Sequence, residues 1–322
     1  MIVWTLFLLA ILIFLALDLG IFNKNPHVIS SKEAGFWTSI WVVLSFSFSG
    51  IIYWLYGTDF VANPNDLTSS QAMVKYITGY LIELSLSIDN IFIIAVIFTS
   101  FRIPRKYQHR VLFWGIIGAI VFRAVMIFLG VILINKFSWM TYLFGAFLIF
   151  TAIKMLVTDD EKEFQPKKSL IYRILKKLIP VTHEINSEHF FVRVNYKITA
   201  TPLFVALIVI EAMDVLFAVD SVPAILAITS DPFLVFSSNI FAILGLRSMY
   251  FFLANMLERF RYLEYSLIAI LSFVGIKMII MHFYKFPEWV SLAFIATSLL
   301  LGILISLQKD KKKKLNTKKK EA

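Results

Sequence analysis

Two short stretches carry residues that could do chemistry in a chain otherwise dominated by apolar side chains. ELSLSIDNIF, residues 83–92, and EAMDVLFAVDSVP, residues 211–223, place Glu83, Asp89, Glu211, Asp214 and Asp220 inside long apolar runs, and Asp18 lies at the end of another. With the amide of Asn90, the hydroxyl of Ser221 and backbone carbonyls, they make an oxygen-rich donor set suited to Mg, Ca or Mn. Zinc, copper and iron would favour imidazole or thiolate. The chain has no cysteine, and its five histidines, His27, His109, His183, His189 and His282, are scattered along it.

Energetic cost argues that these acids are not incidental. A carboxylate at the centre of a bilayer costs on the order of 3 kcal/mol on insertion scales, and six could erase most of a domain's net stability of about 5–15 kcal/mol. Four bases lie within apolar runs, Arg123, Lys154, Arg247 and Lys277, and Lys154 is near enough to a run's end to snorkel. Negative charge remains in excess. A divalent cation would neutralise it, and so would protonation, because burial disfavours an ionised carboxylate. Competition of the two for the same oxygens is the physical basis of a cation/proton antiporter.

The elements that must position these residues are membrane helices. Hydrophobic residues make up 59% of the 322, charged residues 16%, and the mean hydropathy is +0.79, well above the roughly 45–50% apolar usage of soluble domains. A span needs about 20 apolar residues, and runs of that length lie near 2–22, 36–56, 73–100, 111–134, 138–157, 202–229, 233–256, 262–284 and 287–307. The fold class expected is all-α, a polytopic membrane protein of about nine transmembrane helices forming one domain, 1–322. The first run lacks a basic leader and a small-residue cleavage site, so it reads as a retained helix.

Charge sets the orientation. The odd-numbered connections and the C-terminal stretch carry 24 Lys and Arg, the even-numbered connections 2. By the positive-inside rule the N-terminus is outside and the C-terminus cytoplasmic. The net charge of +10 therefore reads as a topology signal and not as a nucleic-acid surface. Residues 158–201 form a cytoplasmic linker and 308–322 a basic cytoplasmic tail; LIYRILKKLI in the linker and the tail could both meet anionic lipid.

Comparing runs reveals an internal repeat. Glu83 and Asp89 align with Asp214 and Asp220 at an offset of 131, Arg123 with Arg247 at 124, and Lys154 with Lys277 at 123. Two three-helix units result, about 73–157 and 202–284. An odd number of helices per unit makes the repeat inverted, an arrangement found in secondary transporters, whose sites lie near the midplane on discontinuous helices. On an ideal helix Glu83 and Asp89 lie about 120° apart, so a regular helix would not converge them. Pro223 is expected to kink or unwind its helix beside Asp220.

The segments ELSLSIDNIF, DVLFAVDSVPAILAIT and NIFAILGLR, together with DLGIF, EAGFWTSIW and FWGIIGAIVFR, resemble the signature segments of the TerC family of bacterial membrane proteins. The resemblance implies a multi-pass protein of the bacterial cytoplasmic membrane, associated with tellurium resistance and with manganese export. It implies no permanent cofactor, only a transported divalent cation. Carried over by motif, it assigns Glu83, Asp89, Asn90, Glu211, Asp214, Asp220 and Ser221 to the metal pathway, with Asp18 as an additional acid. Arg123 and Arg247 are then counter-ions that hold the metal-free carboxylates. Two rival readings stand beside this one. The first is an intramembrane aspartyl protease using Asp89 and Asp220 as its dyad, although neither lies in a Gly-x-Gly-Asp context. The second is a scaffold or sensor of tellurium stress acting through the linker. Tellurite transport is disfavoured because a carboxylate-lined path repels anions.

Overall fold

The computed structural model describes residues 2–17, 29–58, 60–137, 139–157, 165–182, 188–194, 196–254, 263–281, 283–284 and 286–321, without the side chains of Asp89, Lys168 and residues 310–321. In hydrocarbon every backbone N–H and C=O must be satisfied within its own segment, so the apolar runs become helices. They are α1 (Ile2–Leu17), α2 (Ser31–Gly57), α3 (Ser69–Ser100), α4 (Arg105–Lys136), α5 (Met140–Val157), α7 (Pro202–Leu226), α8 (Pro232–Leu253), α9 (Leu263–Ile280) and α10 (Glu288–Glu321), with α6 (Leu170–Leu178) in the linker. Eight of the described helices, all but α1 and α6, are long and apolar enough to span a membrane. The 16 residues of α1 reach only about 24 Å at 1.5 Å per residue, and residues 18–28, including Asp18, lie outside the described residues.

The packing encloses α8 most fully and brings α3 against α7. Helix α3 packs on α8, α4 on α7 and α5 on α9, while α3 also meets α7 and α4 also meets α8. Helix α2 lies against α3 and α8, and α10 against α3 and α9. Nearly the whole surface of α8 is covered, in keeping with a sequence that is apolar all round. At one end, Trp4 and Phe7 of α1 seat on Phe233 of α8, with ring centroids 5.2 and 5.5 Å away. Large apolar side chains on the outside, such as Val121 and Val125 of α4 and Phe150 and Ile153 of α5, are exposed, as a lipid-facing surface requires.

Helices α5 and α9 cross at two glycines. A methyl group added at Gly145 would stand 2.9 Å from the carbonyl oxygen of Gly275, and one at Gly275 2.9 Å from that of Gly145. Small residues allow backbones in a membrane to approach this closely. Gly275→Leu is accordingly expected to lower stability by about 1–3 kcal/mol through overpacking, read as an earlier midpoint when the detergent-solubilised protein is heated. Gly50→Leu, where an added Cβ meets nothing, should leave the midpoint in place.

Three local features differ from what the sequence suggests. Helix α7 is not unwound at Asp220: it runs unbroken from Pro202 to Leu226 with Pro223 inside it. The proline falls in the last turn, where the chain is about to leave the helix, and its own carbonyl still accepts from Ala227 N at 3.0 Å. Helix α3 is likewise continuous through Asp89 and Asn90. The linker also holds a β-hairpin, β1 (Phe191–Val194) with β2 (Lys197–Ala200), in the register Phe191 opposite Ala200 and Val194 opposite Lys197. The fold is therefore helical with one small two-stranded addition. Tyr196, at φ 61°, takes a left-handed position in the turn. Finally, α10 continues past its apolar part to Glu321, since Lys-rich sequence has good helix propensity.

Candidate functional site

A buried arginine joins the two acidic helices. Arg123 of α4 is 0% exposed, and its guanidinium is divided between carboxylates of α3 and α7. Nη1 donates to Glu83, while Nη2 donates to Asp214 Oδ1 at 2.9 Å and Nε to Asp214 Oδ2 at 3.2 Å. The planar fork of arginine suits this bidentate geometry. Nη1 also reaches Ser221 Oγ at 3.4 Å. Around this core, Asn90 Nδ2 donates to Asp214 Oδ1 at 3.4 Å, and Asn239 Nδ2 of α8 donates to Glu83 Oε2 at 3.0 Å.

Regular helices suffice for the convergence. Glu83 and Asn90 are seven residues apart, and so are Asp214 and Ser221. Seven residues turn through about 700°, within roughly 20° of two full turns, so each pair shares one face. Ser221 stands to Asp214 as Asn90 stands to Glu83. Asp220 is one residue short of that repeat and points elsewhere: it accepts from Thr151 Oγ1 of α5 at 3.1 Å.

Two spaces meet at this cluster. A groove of about 530 Å³ is lined by Asn90, Arg123, Thr151, Lys154, Asp220 and Ser221, so it leads past Asp220 to the arginine. On the far side, a cavity of about 30 Å³, room for roughly one water, is lined by Asn90, Glu211 and Asp214 among apolar side chains. Asn90 borders both. Arg123 lines the groove and its partner Asp214 lines the smaller cavity.

Glu211 is the most exacting member of the set. Among the described residues neither of its carboxylate oxygens has a hydrogen-bond partner. The carboxylate fits because Gly118 of α4 has no side chain, and an added Cβ there would overlap it. Gly118→Ala should therefore displace Glu211 and impair whatever this side of the cluster does, while expression and detergent stability persist. Gly130→Ala, which presses only on Leu226 and Val222, is the matched control.

Of the residues singled out by sequence, Glu83, Asn90, Asp214, Ser221 and Arg123 are brought into one cluster, with Glu211 bordering it and Asp220 at its groove. Arg247 is buried on α8 at 6% exposure. Lys277 donates to Ser291 Oγ of α10 at 2.9 Å, and Lys154 lies at the exposed rim of the groove. Asp18 and the side chain of Asp89 lie outside the described residues. Asn239 had not been picked out; its signal is the tripeptide Asn-Ile-Phe at 239–241, which repeats residues 90–92. Among the described residues no three His, Asp or Glu side chains stand together as a ready metal site. The cation that Glu83 and Asp214 share is the guanidinium.

Several acceptor oxygens around the cluster are unsatisfied. Asn90 Oδ1, Asn239 Oδ1, Ser87 Oγ and both oxygens of Glu211 are buried with no hydrogen-bond partner among the described residues. Buried oxygens of this kind are costly without a donor or a cation.

A helical bundle of membrane-spanning length, closed round an arginine clasped by carboxylates from two helices, defines a polytopic membrane protein with an ionisable interior. The profile described as "Integral membrane protein TerC family" matches residues 68–314, and the chain belongs to that family. It is 47% identical over 308 residues to "Uncharacterized membrane protein STKORF319" of Myxococcus xanthus, covering 96% of this chain and 92% of the other. It is 46% identical over 304 residues to an "Uncharacterized membrane protein" of Rickettsia bellii, covering 94% and 96%. It is 44% identical over 304 residues to "Putative membrane-bound redox modulator Alx" of Escherichia coli K12, covering 94% and 93%. No solved structure matches the chain.

Proposed function

We propose that this protein is a membrane transporter that exports a divalent metal cation, with manganese as its substrate, in exchange for protons, and so contributes to resistance against metal and tellurium stress. The observation that carries the reading is the Arg123 cluster. Two carboxylates, from α3 and α7, are held by a tethered cation, and they are surrounded by unsatisfied oxygens at the end of a groove that passes Asp220. All the donors are oxygen, which matches a hard divalent ion. In the metal-free state the guanidinium neutralises Glu83 and Asp214. An ion arriving from the groove competes with it and, on leaving, is replaced by the arginine or by protons.

The contacts between helices support the inverted repeat that such a transporter would use. Exchanging α3, α4 and α5 for α7, α8 and α9 turns the α4–α7 contact into the α8–α3 contact and leaves the α5–α9, α3–α7 and α4–α8 contacts unchanged. Two units related by a pseudo-two-fold axis would produce this pattern of contacts. Alternating access by rocking one unit against the other around a fixed midplane site is the movement that this symmetry favours. The distribution of basic residues favours the cytoplasmic side for the linker and the C-terminus.

The name of the Escherichia coli relative raises a redox role. A thiol–disulfide mechanism in this chain would need cysteine, and there is none; handling of a redox-active cation such as manganese would give an indirect route to the same effect. The test is flux in proteoliposomes containing the purified full chain. Manganese uptake that is accelerated by an imposed pH gradient and reversed with its direction is expected, with magnesium and calcium carried more slowly. Manganese movement no faster than in protein-free vesicles under either gradient would overturn the reading.

A further inference from the structure

A third space, sharing no lining residue with the two described above, lies where the linker folds against the α3–α4 turn and the start of α7. It measures about 570 Å³ and is lined by Phe101, Arg102, Lys167, Tyr172, Thr182 and the foot of α7 at Pro202 and Val205. Among the described residues its lining contains two basic side chains, a phenol and a hydroxyl, and no carboxylate. Glu188, an acid of the same linker, is engaged elsewhere, 3.0 Å from Arg110. Arg102 is held with φ at 53°, a left-handed conformation that a non-glycine residue adopts at some cost and that tends to mark functional positions. Lys167 lies over the Phe101 ring at 5.9 Å, and Phe101 in turn packs on Tyr172 with centroids 5.6 Å apart.

The helix beside the cavity is built for an interface. Helix α6 is strongly amphipathic and turns Leu175 inward, where it is buried. Its outward edge, Leu170, Ile174 and Leu178, is apolar yet 70%, 48% and 74% exposed. Arg173 and Lys177 lie beside that edge. Water alone would not favour such an edge. An apolar edge flanked by basic residues fits a bilayer surface carrying negative charge.

We propose that this cavity binds the phosphate headgroup of an anionic phospholipid, with Arg102 and Lys167 on the phosphate, the Tyr172 and Thr182 hydroxyls on its ester or glycerol oxygens, and the acyl chains along the outer edge of α6. The lipid would pin the linker, and through Thr201 and Pro202 the start of α7, to the membrane surface. The observations separate this from a soluble phosphate site by the exposed Leu170, Ile174 and Leu178, which a free anion would leave in water.

Native mass spectrometry of the full chain in neutral detergent tests it. Dioleoyl phosphatidylglycerol should be retained at least about tenfold more tightly than dioleoyl phosphatidylcholine, and Arg102→Gln with Lys167→Gln should remove that preference. Lys167→Glu, at an exposed position where folding is not at stake, should remove it as well. Leu170→Ser with Leu178→Ser should weaken phosphatidylglycerol without restoring phosphatidylcholine. Equal retention of the two lipids by the wild type, or an unchanged preference in Lys167→Glu, would overturn the proposal. Displacement of phosphatidylglycerol by inorganic phosphate or glycerophosphoglycerol would assign the site to a free phosphoanion and overturn the lipid assignment.

Discussion

Arg123→Met is expected to lose about 3–5 kcal/mol of stability, the range found when one partner of a buried ion pair is removed and the other is left behind. The substitution preserves much of the side chain's length and its apolar stem while deleting the charge that Glu83 and Asp214 share. Among the described residues both carboxylates then keep only uncharged donors, Asn90, Asn239 and the Ser221 hydroxyl. Two results follow if this is the cause. Adding Glu83→Gln and Asp214→Asn to Arg123→Met should restore most of the lost stability, because the uncompensated charge is gone. Millimolar manganese should raise the unfolding temperature of Arg123→Met more than that of the wild type, because the ion no longer competes with a guanidinium; a ligand at about 100 times its dissociation constant adds roughly 2.7 kcal/mol. Arg123→Met unfolding at the wild-type temperature, with no response to metal, would show that the arginine is not what holds these carboxylates.

Asp214→Asn carries the second large effect. Asp214 receives two of the four hydrogen bonds that Arg123 directs at this cluster, and it also accepts from Asn90. The amide keeps the shape but presents the guanidinium with a donor where an acceptor stood. Arg123 would then be left to Glu83, and a cation arriving from the groove would meet one carboxylate in place of two. Transport should fall by about 100-fold, equivalent to roughly 2.7 kcal/mol, whereas Asp231→Asn should leave transport intact. Asp231 caps α8 by accepting from Phe233 N and Leu234 N, away from the groove.

Much of this arrangement was legible in the sequence. Run lengths gave the spans because a bilayer imposes a minimum helix length, and the rarity of charge in those runs drew attention to Glu83, Asp89, Glu211, Asp214 and Asp220. The seven-residue spacing of Glu83 with Asn90 and of Asp214 with Ser221 was present as well, and it shows which oxygens share a face without any break in the helix. Pro223 suggested a break because its chemistry was weighed without its distance from the helix end. Asn239 and Gly118 were hidden for a different reason. Their importance lies in what stands across from them, the Glu83 carboxylate in one case and the Glu211 carboxylate in the other, and helices that are apolar all round carry little periodic signal about which faces meet. The hairpin of residues 191–200 was missed because its alternation, Phe-Val-Arg-Val and Lys-Ile-Thr-Ala, is only four residues long on each side, and its hold on Pro180 and Thr182 through Ala200 is a tertiary contact.

The most direct measurement of the central claim is manganese flux under an imposed pH gradient in proteoliposomes reconstituted with equal amounts of folded wild type, Glu83→Gln, Asp214→Asn and Asp220→Asn. The account predicts rapid gradient-driven flux for the wild type and rates near those of empty vesicles for the three variants, with Asp220→Asn retaining the most because it lies at the groove and not beside the arginine. Wild-type rates in Glu83→Gln and Asp214→Asn would contradict it.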